Sequence, residues 1–389
     1  MMQLIEVTTP ELVQEFLLQP VKLYKKDPNY IRPLDKDVES VFDRKKNKLL
    51  RDGEAIRWVL RDEKGKTIGR IAAFINKKTA HTFEQPTGGL GFFDCINDQE
   101  AANMLFDAAV NWLKARGMEA VDGPINFGDR DRWWGLLADG FYAPTYCMNY
   151  NAPYYLQLFE QYGFQVYFKQ YVYWRKVDER LEPRFFNKAA AILDDPDYTF
   201  QHMNKTDLKK YAEDFRTVYN KAWNKHEGVK GMTEAQAMSI MNQLKPILDE
   251  RIVWFGYYKG EPISFFISLP ELNQLFKYVN GKLDTWGKIK FIYHRWKGDC
   301  RAMFGLVFGV VPEHQRKGVE AAMVVESGKI IQDNPSLPYE EMQMNWIGDF
   351  NPKMMNTAVQ VGGSIYKTYH TYRYLFDRTK EFKRMPLIG

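Results

Sequence analysis

Val310-Val311-Pro312-Glu313-His314-Gln315-Arg316-Lys317-Gly318-Val319-Glu320-Ala321-Ala322 decides how this chain is read. The apolar run 304–311 has the length and branching of a buried strand. A polar turn follows, and apolar periodicity resumes near Gly318, predicting a helix from about 318 to 332. The start of a helix exposes unpaired N–H groups and a positive dipole end, which suit a pyrophosphate. Gly318 permits close backbone approach, while Arg316 and Lys317 add positive charge. The competing reading is a solvated turn in which Gly318 only relieves a strained angle.

Working outward, the second half predicts a helix over 206–225, then strands over 252–258 and 263–269 around the turn Lys259-Gly260-Glu261-Pro262. Beyond the decisive stretch come a strand at 341–347, a helix at 353–361 stopped by Gly362-Gly363, and a closing strand at 364–376. The first half shows the same order. Strands at 55–60 and 68–75 flank a polar turn, and 91–96 is a further strand. Asn97 or Asp98 caps a helix that Gly117 stops; a short strand at 120–126, a helix at 154–162 and a strand at 166–174 follow. Asn151 and Asn351 each precede a helix whose stop glycine lies twelve residues later. This spacing points to internal duplication, with 178–197 as the boundary between units 1–180 and 198–389.

Composition narrows the class. Net charge is only +5, without a basic tail, so a nucleic-acid partner is not expected. No apolar stretch approaches the ~20 residues that cross a bilayer. Neither a secretory leader nor a disulfide framework is indicated, the three cysteines being far apart, so the expectation is a cytoplasmic protein. The six histidines show no metal-ligand spacing, and no metal is expected.

The strand, Val-x-Pro-x-x-Gln-x-x-Gly, and helix of 304–332 resemble motif A of the GNAT N-acetyltransferase superfamily. The strand at 341–346, Asn351 before a helix, and Gly362-Gly363 before a final strand are similar to its motif B. The resemblance covers about 198–376 and more loosely 1–176. It implies an α/β fold: two GNAT-like acyl-CoA N-acyltransferase domains in tandem, with mixed central sheets flanked by helices. It further implies that Val310, Val311, Gln315, Arg316, Lys317, Gly318, Val319, Glu320, Ala321 and Asn351 contact acetyl-CoA or another acyl-CoA. Glu320 departs from the family's Gly or Ala and brings a carboxylate towards the phosphates. The first half has Phe93-Asp94-Cys95-Ile96-Asn97-Asp98-Gln99-Glu100 where the turn should be, with carboxylates and neither glycine nor cation. It is expected to be a degenerate copy.

Acyl transfer to an amine requires a polarised carbonyl, a deprotonated amine and a proton for the departing thiolate. By resemblance, N–H groups at Val310 and Val311 polarise the carbonyl. Glu341 is the nearest carboxylate for a base, and otherwise an exposed strand end. The family's tyrosine donor falls on Ala358 or Val359, and on Phe159 in the first half, so Tyr366 or Tyr369 would substitute, or both are core. The stretch 128–149, with Asp129, Arg130, Asp131, Arg132, Trp133 and Trp134, is either an acceptor-recognition loop or a brace between units. The stretch 284–297 is either a packed amphipathic helix or a lipid-facing one. The function expected is acyl transfer, acetyl foremost, to a small-molecule amine or peptide. Alternatives are an aminoacyl or long-chain donor, or a non-catalytic scaffold.

Overall fold

A computed structural model describes residues 1–82, 84–181, 183–223, 231–334 and 337–388. In chain order the first half forms β1 (Gln3–Glu6), α1 (Pro10–Leu23), α2 (Asp35–Phe42), β2 (Glu54–Arg61), β3 (Thr67–Ile75) and β4 (Thr87–Cys95). It continues with α3 (Gln99–Lys114), β5 (Ala120–Gly123), β6 (Leu136–Asp139), α4 (Tyr155–Tyr162) and β7 (Gln165–Lys176). A connecting helix, α5 (Pro183–Leu193), leads to β8 (Tyr198–His202), α6 (Leu208–Trp223), α7 (Glu234–Leu244), β9 (Val253–Tyr258), β10 (Glu261–Pro270), α8 (Asn273–Phe276) and α9 (Thr285–Trp296). The chain closes with β11 (Ala302–Val310), α10 (Val319–Asp333), β12 (Glu341–Met344), β13 (Ile347–Gly348), α11 (Pro352–Gln360) and β14 (Ser364–Leu375). The helix expected over 206–225 is described from Leu208 to Trp223; Asn224 and Lys225 lie outside the described residues.

Punctuation in the sequence sets these boundaries. Asp98 caps α3 by accepting the Ala101 N–H at 2.9 Å, and α3 buries Ala101, Ala102, Leu105, Phe106, Ala109 and Leu113 along one face. Gly163 closes α4 in the left-handed region at φ 107°. Beyond α11, Gly362 turns the chain at φ 83° and the Gly363 N–H returns to the Ala358 carbonyl at 2.9 Å.

All the described strands join in one sheet, in the order β1-β2-β3-β4-β5-β14-β7-β12-β11-β10-β9-β8. The order is a palindrome of two similar halves, with the parallel pairs β4·β5 and β11·β12 in corresponding places. The two final strands are exchanged. β14 lies beside β5, and β7 lies beside β12, so each half is completed by the last strand of the other. At the centre β7 and β14 pair antiparallel along most of their length. A buried bidentate pair fixes the exchange: Arg373 of β14 grips Asp122 of β5 at 2.6 and 2.8 Å, and Thr371 donates to Gln170 of β7 at 2.8 Å.

The stretch 128–149 braces the halves. Its Ala143 and Pro144 carbonyls accept from Lys367 Nζ (2.6 Å) and Asn273 Nδ2 (2.8 Å). Thr145 bonds Gln343 at 2.9 Å, and the Tyr146 N–H donates to Glu271 at 2.7 Å. Trp133 is buried in the first-half core rather than presented to an acceptor.

Candidate active site

The wedge between β11 and β12 is the central feature. β12 pairs only with residues 302–305 of β11, the Asn345 N–H closes on the Gly305 carbonyl at 2.9 Å, and the strands then part. Beyond that point β11 continues for five residues, about 17 Å at 3.3 Å per residue, with one edge still paired to β10. The Val311 N–H donates to Ile263 of β10 at 2.9 Å. Alternation along an antiparallel strand therefore turns the N–H and C=O of Val310 and Phe308 to the other edge, into the wedge. The Val310 carbonyl is already met by Gln315 Nε2 at 2.9 Å. Its N–H, and that of Phe308, have no partner among the described residues. Two expectations change here. Val311 cannot polarise a carbonyl, because β10 takes its N–H, and the side-chain amide of Gln315 is spent on the backbone; Phe308, absent from the sequence reading, joins Val310.

At the mouth of the wedge, Pro312–His314 forms a single 3-10 turn, and Arg316 (φ 64°) and Gly318 (φ 101°) swing the chain into α10. Among the described residues no well-formed hydrogen bond reaches the N–H groups of Arg316, Lys317, Gly318, Val319, Glu320 or Ala321, which lie in the tight turn 315–318 and the first turn of α10, and no side chain caps the helix. Six donors and the positive end of α10 thus converge without a ligand from the protein. Arg316 and Lys317 are exposed and unpaired among the described residues. The Lys317 charge joins burial in holding the His314 imidazole below its ordinary pKa; His314 itself is bonded to Tyr198 at 2.9 Å. Gly318 is required on two counts. Its φ is left-handed, and a Cβ there would lie 2.2 Å from the Lys188 carbonyl of α5. Glu320, half-buried in the first turn, has no ion-pair partner among the described residues. Asn351 caps α11, its Oδ1 accepting the Met354 N–H at 3.1 Å.

Glu341 and Tyr366 lie near one another behind the closed end of the wedge, in the paired part of the sheet. Glu341 opens β12, half-buried, opposite Ala302. Tyr366 sits in a bulge of β14, stacked on Tyr142 at 4.7 Å and near Trp174 at 6.1 Å. Burial first, then the negative charges of Glu341 and others, push the Tyr366 phenol up to about 12, so it stays protonated at neutral pH. Tyr369 is wholly buried and bonded to the Asn149 carbonyl, a core residue. Next to Tyr366, Lys367 is also fully buried. Burial drives its ammonium pKa down, against the opposing pull of Glu271 and Glu341. Burial likewise drives the Glu271 carboxyl up, although it accepts N–H groups from Tyr146, Asn273 and Gln274. Lys367 and Glu271 escaped the sequence reading because a lone lysine in an aromatic strand carries no signal of burial.

The corresponding place in the first half is closed. The Ile96 N–H donates to Ile68 as Val311 does to Ile263, so Cys95 corresponds to Val310. The Cys95 N–H is taken by the Tyr155 hydroxyl (2.9 Å) and its carbonyl by the Tyr154 hydroxyl (2.7 Å). Tyr155 also bonds Tyr24 and Asp94, the latter paired with Arg70 at 2.7 Å. The cavity beside this network, lined by Tyr30, Asp94, Trp133 and Tyr146, holds only about 60 Å³, far below the ~300 Å³ at which ligand pockets begin.

A strand splayed from its parallel neighbour, an uncapped helix start and a basic turn, set in a duplicated sheet, have a known counterpart. A solved tandem GNAT protein from the clavulanic acid biosynthesis pathway superposes with a TM-score of 0.55 at 9% identity, covering 98% of this chain and 100% of that one. This chain has the tandem GNAT fold. Among curated proteins, the "Bacterial ceramide synthase" of Caulobacter vibrioides is 29% identical over 387 residues, 95% of this chain and 97% of the relative. Protein YghO of Escherichia coli is 24% identical over 366 residues, 92% of each. No family model matches. In GNAT terms, the second half keeps the open motif A wedge, and the first half keeps its backbone course with tyrosines in the gap. No group of three or more His, Cys, Asp or Glu able to hold a metal occurs among the described residues.

Proposed function

We propose that this protein is an N-acyltransferase whose second half binds an acyl-CoA in the β11/β12 wedge and transfers the acyl group to an amine. The observation that carries this is the row of N–H groups running from Phe308 and Val310 into the first turn of α10, which, like the cations Arg316 and Lys317 beside them, have no partner among the described residues. In this reading the N–H groups of 316–321, with Arg316 and Lys317, hold the diphosphate. Val310 or Phe308 donates to the thioester oxygen as it gains negative charge. The amine nitrogen attacks the carbonyl carbon and the C–S bond breaks. Water takes the amine's proton and returns one to the thiolate; Glu341, opposite Ala302, lies six residues or about 20 Å along β11 from Phe308, and Tyr366 sits on β14 with β7 and β12 between it and β11, so neither touches the carbonyl. The units 1–180 and 198–389 divide these duties, with the first shaping the acceptor side; β14 and β7 tie them together.

For the donor and acceptor we infer a long acyl chain and a long-chain amino alcohol rather than acetyl and a small amine. The full-length similarity to a protein named a ceramide synthase supports this, as do the half-buried Leu306, Val307, Phe308 and Phe266 at the wedge, which offer apolar walls. The test is incubation with acetyl-, octanoyl- and palmitoyl-CoA over amines that include a long-chain 2-amino alcohol, following free thiol and amide product by mass spectrometry. Palmitoyl amide with the amino alcohol is the expected product. Coenzyme binding without thiol release from any pair would instead support a non-catalytic scaffold, which the unpaired Glu320 and the residues Ala358 and Val359 at the family's tyrosine position favour.

A further inference from the structure

We propose that α9 is a membrane-surface docking helix that lies in the interface of a bilayer containing anionic lipid. The argument uses only the surface of α9 and does not rest on the acyl-transfer reading.

Helix α9 meets the body of the protein along one narrow face. Gly287 is buried, Phe291 packs on Phe276 at 5.4 Å, His294 stacks on Tyr278 at 3.5 Å and bonds Asp299 at 2.6 Å, and Arg295 reaches the Pro246 carbonyl at 2.6 Å. The helix is therefore anchored, with a defined outer side. That outer side is apolar: Trp286 is 67% exposed, Ile289 48%, Ile292 64%, Tyr293 52% and Trp296 82%. At 100° per residue these five fall within about 120° of one another, opposite the anchored face. Water solvates such a stripe poorly, and soluble surfaces seldom concentrate so many large apolar side chains.

Charge complementarity selects the occupant. Residues 282–299 contain Lys282, Lys288, Lys290, Arg295 and Lys297 against Asp284 and Asp299, the latter bonded to His294 and 4.0 Å from Lys297. On the helical wheel Lys288 lies along one edge of the stripe, and Lys290 and Lys297 along the other. Lys288 and Lys290 are exposed and, among the described residues, have no ion-pair partner. An apolar stripe between two cationic edges, with an indole at each end of about 15 Å of helix, matches the layered chemistry of an anionic bilayer surface. Acyl chains take the isoleucines, the headgroup boundary takes the tryptophans, and the phosphates take the lysines. A second copy of this chain would set the same cations against each other.

The test is flotation of the full chain, without acyl-CoA or amine, with vesicles of phosphatidylcholine alone or phosphatidylcholine and phosphatidylglycerol at 3:1. Binding to the anionic vesicles at least tenfold tighter than to neutral ones, weakened by 0.5 M salt, is expected. Trp286→Ser with Trp296→Ser should cut it tenfold or more, and Lys288→Glu with Lys290→Glu should remove the preference for anionic lipid. All four side chains are outside the core, so thermal unfolding of the variants should match the parent. Absence of vesicle binding, unchanged binding by the tryptophan variant, or a dimer in ultracentrifugation that this variant dissolves would each overturn the proposal. Failure of the acyl-transfer assay would leave vesicle binding unaffected.

Discussion

The helix starts at Asp98 and Gly318 occupy corresponding places in the two halves and differ in who satisfies the backbone. At the first, the protein does: Asp98 takes the Ala101 N–H, Tyr155 takes the Cys95 N–H, and Tyr154 takes the Cys95 carbonyl. At the second, Gln315 meets the Val310 carbonyl, and the remaining N–H groups face outward beside Arg316 and Lys317. Buried polar groups must be paired, so a half that fills its own gap gains stability and loses a ligand site. A half that leaves the gap open carries a helix start without a side-chain cap. Two similar frames thus stand in one chain, and among the described residues the open helix start belongs to the second.

The strongest way to break this comparison is to reverse the charges at the open turn. Arg316→Glu with Lys317→Glu should weaken coenzyme A at least ~30-fold by calorimetry, given about 1.5–3 kcal/mol per charge-assisted contact, with little change in melting temperature because both side chains are exposed. Unchanged affinity would mean that the phosphates bind elsewhere. Gly318→Asp is a blunter instrument, since its Cβ would strike the Lys188 carbonyl and unsettle α5 as well.

The closed half can be opened in turn. Tyr155→Phe removes the acceptor of the Cys95 N–H and one partner of the Tyr24 hydroxyl, which keeps the Ala152 N–H; a loss of about 1–3 kcal/mol in urea unfolding is expected, with coenzyme affinity retained. Gain of a second coenzyme equivalent would show that the tyrosine alone had blocked the first half.

His370 reports on the exchanged strand between the halves. Burial, with the Lys169 charge, pushes its imidazole down to about 4. In the unfolded chain it titrates near 6.5, so from pH 6.5 down to 4 the unfolded state binds more protons and stability falls with pH, by at most about 3 kcal/mol. Above pH 6.5 the contribution is complete. His370→Gln should flatten that slope between urea midpoints measured at pH 7 and 4.5. The smallest effect is expected of Asp98→Ala: loss of the α3 cap costs ~1 kcal/mol and leaves acyl transfer untouched, whereas a fall in activity would tie the first helix start to the chemistry.

The elements that were legible in the sequence are those fixed by neighbours. Asp98 and Gly163 announced their helix ends, the apolar run before Pro312 announced β11, and the Gln-x-x-Gly turn announced an open helix start. Asn151 and Asn351 looked equivalent, yet Asn351 caps α11 while Asn151 bonds both backbone groups of Leu137. A capping residue type states what it can bond, not which partner comes within reach. Val311 failed as an acyl contact for a similar reason. Two adjacent valines have the same chemistry, and only the register with β10 turns one N–H inward and the next outward.

By itself the sequence determined the period of each element, the twofold repetition of the pattern and the cationic turn, because these follow from residues within a few positions of one another. The tertiary structure alone decided that β7 and β14 trade places. Either strand offers the same ladder of backbone groups, and pairing within its own half would satisfy them equally. The choice falls to contacts between residues distant in the chain, Arg373 with Asp122 and Thr371 with Gln170. The same long-range packing buried Lys367 beside Glu271, for burial belongs to whatever the fold places around a side chain and leaves no mark on its sequence neighbours.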